Sequence, residues 1–245
     1  MNNQMTFPIR RGIRSLLENK GLGTLLGILL VSVPFVLVGY VGESLGAGSA
    51  ISNVVINLAY VLGLGIATLV LRQWGWNWRG IGLARPASWG RTVLRAVGAT
   101  LVTLIIFFAL QMIVSMVAGP AGPASDQSEY NPISGNLALL LGMLAVSWTF
   151  VAFGEEMIFR AFLTSALARP FRQTRVTMAL AVVGSSVAFG LAHSAWGWMG
   201  VLETTLIGLV LGAAYIRSGR NLWVTIIAHG LIDTMKFLLV YSGAV

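Results

Sequence analysis

The sequence predicts an all-α fold, a polytopic transmembrane helical bundle of about seven spans, and three observations carry that prediction. Hydrophobic residues make up 56% of the chain and charged ones 10%, whereas a soluble domain carries about a quarter charged residues. The apolar residues fall in runs near the ~20 residues that a helix needs to cross a bilayer. Lysine and arginine occupy alternate connections between those runs, the pattern by which basic loops orient a membrane protein.

Taken in order, the apolar runs cover 22–41, 51–71, 92–118, 137–163, 176–196, 198–216 and 222–241. The first follows a basic stretch but is longer than the apolar core of a signal peptide and lacks a small-x-small cleavage site, so it is expected to be retained as a span. Gly46 and Gly48 break the chain between the first two runs, and a loop from Pro120 to Pro132 separates the third from the fourth. Trp74, Trp76, Trp78 and Trp89 cluster after the second run and read as an interfacial aromatic girdle. The domain division that follows is a basic N-terminal segment over 1–21, three spans over 22–136 and a four-span core over 137–245.

The basic residues set the orientation. Arg10, Arg11, Arg14 and Lys20, then Arg72, Arg79, Arg85, Arg91 and Arg95, then Arg169, Arg172 and Arg175, then Arg217 and Arg220 all fall to one side. The other side receives Glu43, Asp126 and Glu129. This places the N-terminus in the cytoplasm, the C-terminus outside and the protein in the cell membrane. The net charge of +8 is thereby explained by topology and forms no compact basic module, so nucleic acid is not an expected partner. With no cysteine, a thiol nucleophile, a thiolate metal site and a disulfide framework are excluded.

A charge at the centre of a membrane helix costs about 2.5–3.5 kcal/mol on the mildest scale, so each one needs a reason. Here they gather late in the chain. The fourth run holds Glu155, Glu156 and Arg160, the fifth His193, and the seventh His229 and Asp233, which between them include both histidines of the protein. Residues four apart on a helix nearly overlie, so Glu156 is expected to be the counter-ion of Arg160. Glu155, about 100° away around the helix, is left to partners from other helices, for which His193 and His229 are the candidates. A carboxylate and an imidazole facing one water can activate it towards a peptide carbonyl while a second imidazole donates to the oxyanion. Asp233, one turn from His229, either orients that ring or joins it at the oxyanion.

These motifs resemble the CAAX protease and bacteriocin-processing membrane peptidases, which include the type II prenyl-protein endopeptidases. The family pattern Glu-Glu-x-x-x-Arg, Phe-x-x-x-His and His-x-x-x-Asn or Asp is met by Glu155, Glu156 and Arg160, by Phe189 and His193, and by His229 and Asp233. Gly208, Gly212, Tyr215, Gly219, Asn221, Leu222 and Trp223 lead into the last motif in the family manner. The resemblance runs over 137–241 and implies an intramembrane endopeptidase of the glutamate type. In it Glu155 and His193 activate water, His229 with Asp233 stabilises the oxyanion, and Glu156, Arg160 and Phe189 support the site. The prenyl-protein enzymes carry Asn where this chain has Asp233, and an ionised carboxylate cannot donate a hydrogen bond, so a prenylated substrate is not implied.

No His-Glu-x-x-His motif is present and no cofactor is expected, although Glu155, His193 and His229 could serve as three zinc ligands. Ser185 and Ser186, beside Gly184, read as helix-packing residues rather than nucleophiles. Glu203 reads as an interfacial residue near a helix N-terminus, and Lys236 either pairs with Asp233 or snorkels outward, the pairing being the favoured reading. The expected partners are the bilayer and a peptide or protein substrate. The competing functions are a noncatalytic scaffold or bacteriocin-immunity protein of the same family, and a proton-coupled transporter.

Overall fold

A computed structural model describes residues 16–45, 50–119 and 122–244. Arg10, Arg11, Arg14, Gly46, Gly48 and Pro120, which figure in the sequence reading, lie outside the described residues. Among those described there is no strand. The long helices are α1 (Leu22–Leu45), α2 (Ala50–Gln73), α3 (Trp89–Ala118), α4 (Leu137–Ala168), α5 (Arg175–Leu191), α6 (Gly197–Arg217) and α7 (Leu222–Ser242). Short 3₁₀ turns, Ser128–Ile133 and Ser194–Trp196, precede α4 and α6. Helices α3, α4 and α7, and α6 with its preceding turn, are long and apolar enough to cross a bilayer; α1, α2 and α5 contribute shorter apolar stretches.

The surface is the inverse of a soluble protein's. Val117 is 83% and Met116 78% exposed, while Glu156 and Thr225 are completely buried. Outward apolar side chains and inward polar ones are what a hydrocarbon solvent selects, since no lipid group can satisfy a polar atom. Helix α3 shows the pattern most clearly: Thr92, Ala96, Ala99, Thr100 and Thr103 form one buried stripe of small residues. Small side chains let backbones approach, and the Thr100 hydroxyl donates to the carbonyls of Ala96 and, on α7, Ala228. Helices α5 and α6 are equally close. A Cβ added at Gly208 would stand 3.0 Å from that of Ser186, and one added at Gly190 would lie 2.6 Å from the Val201 carbonyl oxygen and closer still to the Thr205 hydroxyl.

Helix starts are capped by side chains as their sequences allow. Ser88 accepts from Arg91 N, Asn136 from Leu139 N, Thr174 from Thr177 N and Asn221 from Trp223 N. The basic ends of the helices share one face: Arg169 bonds the carbonyls of Asn19 and Glu18, Arg220 bonds Gln173, and Tyr215 donates to Ile81 O. At the opposite face Asp126 N donates to Trp196 O and Gly135 N to Tyr241 O.

Two expectations change. The fifth span does not run to Trp196, because α5 ends at Leu191 and His193 lies in the following turn. The left-handed Gly197 (φ +76°) completes the reversal into α6. Trp74 is no girdle residue either. At 9% exposure it stacks on Phe162, its indole N–H donates to Leu17 O, and the Arg169 guanidinium lies over its ring. Trp89, largely exposed and packed on Trp223, does face outward.

Candidate active site

Helix α4 carries the two adjacent glutamates and is not a plain α-helix there. It widens into π-helical turns at Ser147–Val151 and Glu156–Leu163. Such wide turns shift side-chain register and leave carbonyls looking for new partners. The Phe159 carbonyl finds two, the hydroxyls of Thr164 and of Ser185 on α5. Ser185 therefore fastens the widened turn to its neighbour, and Ser186 bonds Val182 O within its own helix.

His229, projecting from α7, is the centre of the cluster, with one α4 carboxylate at each ring nitrogen. Its Nδ1 is 2.9 Å from Glu156 Oε1, and its Nε2 is 3.8 Å from Glu155 Oε2 and 3.8 Å from Asp233 Oδ2. Each carboxylate has a further holder. Arg160 Nη1 lies 3.1 Å from the same Glu156 oxygen, Tyr60 from α2 donates to Glu155 Oε1, and Ser147 donates to Asp233 Oδ2 at 2.6 Å. The Arg160 guanidinium rests on the Phe189 ring, 4.2 Å from its centroid. Glu155 Oε2 is buried and accepts no hydrogen bond. A gap of 3.8 Å is too long for a direct hydrogen bond and short enough for Glu155 and His229 to reach the same small molecule.

Glu156 thus pairs with Arg160 as expected, but it is also the acceptor facing His229, a contact the α-helical phase argument assigned to Glu155 alone. Adjacent side chains diverge, and with an imidazole lying between them divergence puts one on each edge of the ring. His193 stands apart. Half-buried in the α5–α6 turn, it bonds Phe189 O through Nδ1 at 2.8 Å and packs against the rings of Phe189 and Trp196. A carbonyl only accepts, so Nδ1 carries the proton and Nε2 of the neutral ring is an acceptor. Among the described residues no ion pair joins His193 to a carboxylate, and no group of three or more His, Asp or Glu side chains is arranged to hold a metal ion.

The loop before α4 closes the face where α5 turns into α6. Glu129 accepts from the Trp196 indole, and Tyr130 packs on Trp196 and Phe237. Burial, with the Glu129 carboxylate as a lesser cause, pushes the Tyr130 phenol well above its ordinary range and keeps it neutral. The expected Lys236–Asp233 pair is not formed. The Lys236 ammonium instead sits over the Tyr130, Phe237 and Trp196 rings, 4.1 Å from the nearest centroid. Glu203 is buried, not interfacial, and accepts from Gln111 of α3 at 2.7 Å.

Tyr60 and Ser147 were missed by sequence reasoning. Ser147 lies two helical turns before Glu155, a signal that was available; a mid-span tyrosine outside the motif region offers little beyond its polar tip. Compared with known proteins, residues 137–235 match the family model described as Rce1-like, type II CAAX prenyl endopeptidase. No curated protein and no solved structure matches the chain.

Proposed function

We propose that this chain, whose residues 137–235 match the Rce1-like, type II CAAX prenyl endopeptidase family model, hydrolyses peptide bonds within the membrane by a glutamate-activated water. One observation supports this above the rest: the buried, unbonded Glu155 Oε2 faces His229 Nε2 across 3.8 Å. A water bridging them would lose a proton to Glu155 as its oxygen attacks the substrate carbonyl. Low dielectric makes that transfer sensitive to every fixed charge nearby, which is the use of so polar a cluster in so apolar a protein.

In this scheme His229 donates from Nε2 to the developing oxyanion. With Nδ1 already given to Glu156, that requires the imidazolium form, and the carboxylates of Glu155, Glu156 and Asp233, all within 3.8 Å, counter its charge. Asp233, acceptor of the Ser147 hydroxyl, orients and balances His229 rather than donating. His193 presents Nε2 from the α5–α6 turn as an acceptor, suited to carrying a proton to or from the water and leaving amine rather than to pairing directly with Glu155.

The noncatalytic scaffold reading draws on one fact, that Tyr60, Ser147 and Arg160 already hold the three carboxylates as a packing network would. Cleavage decides between them. Membranes with and without the protein, compared by proteomics, would supply a substrate. On it Glu155→Gln is expected to lower turnover by about 10²–10⁴-fold with the protein still folded. Full turnover in that variant would end the peptidase mechanism as written. Activity is also expected to survive exhaustive chelation. Loss of cleavage on chelation, restored by zinc, would instead make Glu155, His193 and His229 ligands.

A further inference from the structure

On the basic face, away from the cluster around His229, the loop after α2, the first turns of α3 and the α6–α7 turn form an open cavity of about 370 Å³. That is within the size range of small-ligand pockets, roughly 300–1,000 Å³. Arg79, Arg85, Arg91, Arg95 and Arg220 line it, and no acidic residue does. Among the described residues no carboxylate pairs with any of the five. Arg220 donates only to neutral oxygens, those of Gln173 Oε1, Ser165 Oγ and Tyr215 Oη.

The walls are fixed rather than loose. Leu222 N donates to Gly82 O at 3.0 Å, Asn221 bonds Thr92 at 3.0 Å, and Tyr215 donates to Ile81 O at 2.6 Å. Gly82 (φ +116°) is pressed against the Arg220 carbonyl so closely that no side chain fits. Arg79, Arg85, Arg91 and Arg95 are exposed and Arg220 half-buried, and the three bonded chain segments bring all five to the rim of one space. Planar guanidinium groups pair bidentately with phosphate oxygens, and the basic residues at the span ends are where the positive-inside rule expects anionic headgroups.

We propose that this cavity binds an anionic phosphate group. The site is independent of peptide cleavage, so its test does not depend on that function. Full-length protein in detergent is examined by native mass spectrometry with phosphatidylglycerol or with phosphatidylcholine, and by equilibrium dialysis with inorganic phosphate. Arg85→Gln with Arg91→Gln is compared with Arg172→Gln with Arg217→Gln, which removes two charges from the same face outside the cavity.

Anionic lipid is expected to be retained by the parent and the control and lost by at least tenfold in the cavity variant, with phosphatidylcholine bound weakly by all. Retention of phosphatidylglycerol alone identifies a lipid headgroup as the ligand; binding of inorganic phosphate as well shows that the phosphate group suffices. All four substituted arginines are exposed, so the variants should fold, which their thermal unfolding verifies. Equal losses in cavity and control variants would reduce the effect to general surface charge and overturn the proposal, as would binding of neither probe.

Discussion

One oxygen of Glu156 serves two cations in waiting, the Arg160 guanidinium at 3.1 Å and the His229 ring at 2.9 Å. Replacing Glu156 by Gln strands Arg160, and breaking a buried pair costs about 3–5 kcal/mol, so thermal stability should fall by that order. Adding Arg160→Met removes the stranded charge and should restore much of the stability. It should not restore turnover, which is expected to stay down about 10²-fold because His229 has lost the charge that its imidazolium form faces. Unfolding midpoints and turnover of the purified single and double variants check this. A Glu156→Gln protein as stable as its parent would refute the pairing. At this scale the sequence told much: Glu155, Glu156, Arg160, His229 and Asp233 were recognisable as charges that lipid does not tolerate without cause, and the structure gathers them. What it could not tell was which carboxylate meets which nitrogen, a matter of side-chain reach across two helices that i,i+4 reasoning within one helix does not address.

Among the elements, α5 and α6 are joined most tightly where glycines replace side chains. A methyl group at Gly190 would run into Thr205 and the Val201 carbonyl, and backbone cannot yield as a side-chain tip does. Gly190→Ala should therefore destabilise the protein by about 1–3 kcal/mol, read as a lower unfolding midpoint, and displace the turn that carries His193. An unchanged midpoint would show that the helices part freely. The order of the long helices among the described residues was legible because each begins near the start of an apolar run, even though α1, α2 and α5 contribute shorter apolar stretches. The widened turns of α4 were not, since nothing in Ser147–Val151 or Glu156–Leu163 marks an i→i+5 pattern in composition. The early end of α5 was hidden because Ala192, Ala195 and Trp196 keep the stretch apolar enough to pass as helix, and the positive φ of Gly197 that turns the chain shows only in the structure.

For the molecule as a whole, the arginines at alternate helix ends share one face, and the Asp126–Glu129 loop lies at the other. The positive-inside rule then predicts that the loops near Arg85, Arg172 and Arg217 are cytoplasmic, and reporter fusions at these three sites should all report that side. An exterior report from the Arg172 loop would be incompatible with seven spans in this order. Lipid-facing surface explains why the overall class was readable from composition alone, whereas the tight fit of the first three helices to the rest was not, because they carry none of the recognised motifs.

That fit bears on where the protein can be cut. The stretch matched by the family, 137–235, depends on neighbours outside it: Tyr60 supplies the hydrogen bond to Glu155, Thr100 reaches the Ala228 carbonyl, and Arg169 is anchored on the backbone of Asn19. Excised, those four helices would expose a carboxylate robbed of its donor and the face of Leu211, Val224 and Ala228 that α3 covers, so the unit that comparison recognises is smaller than the unit that packs.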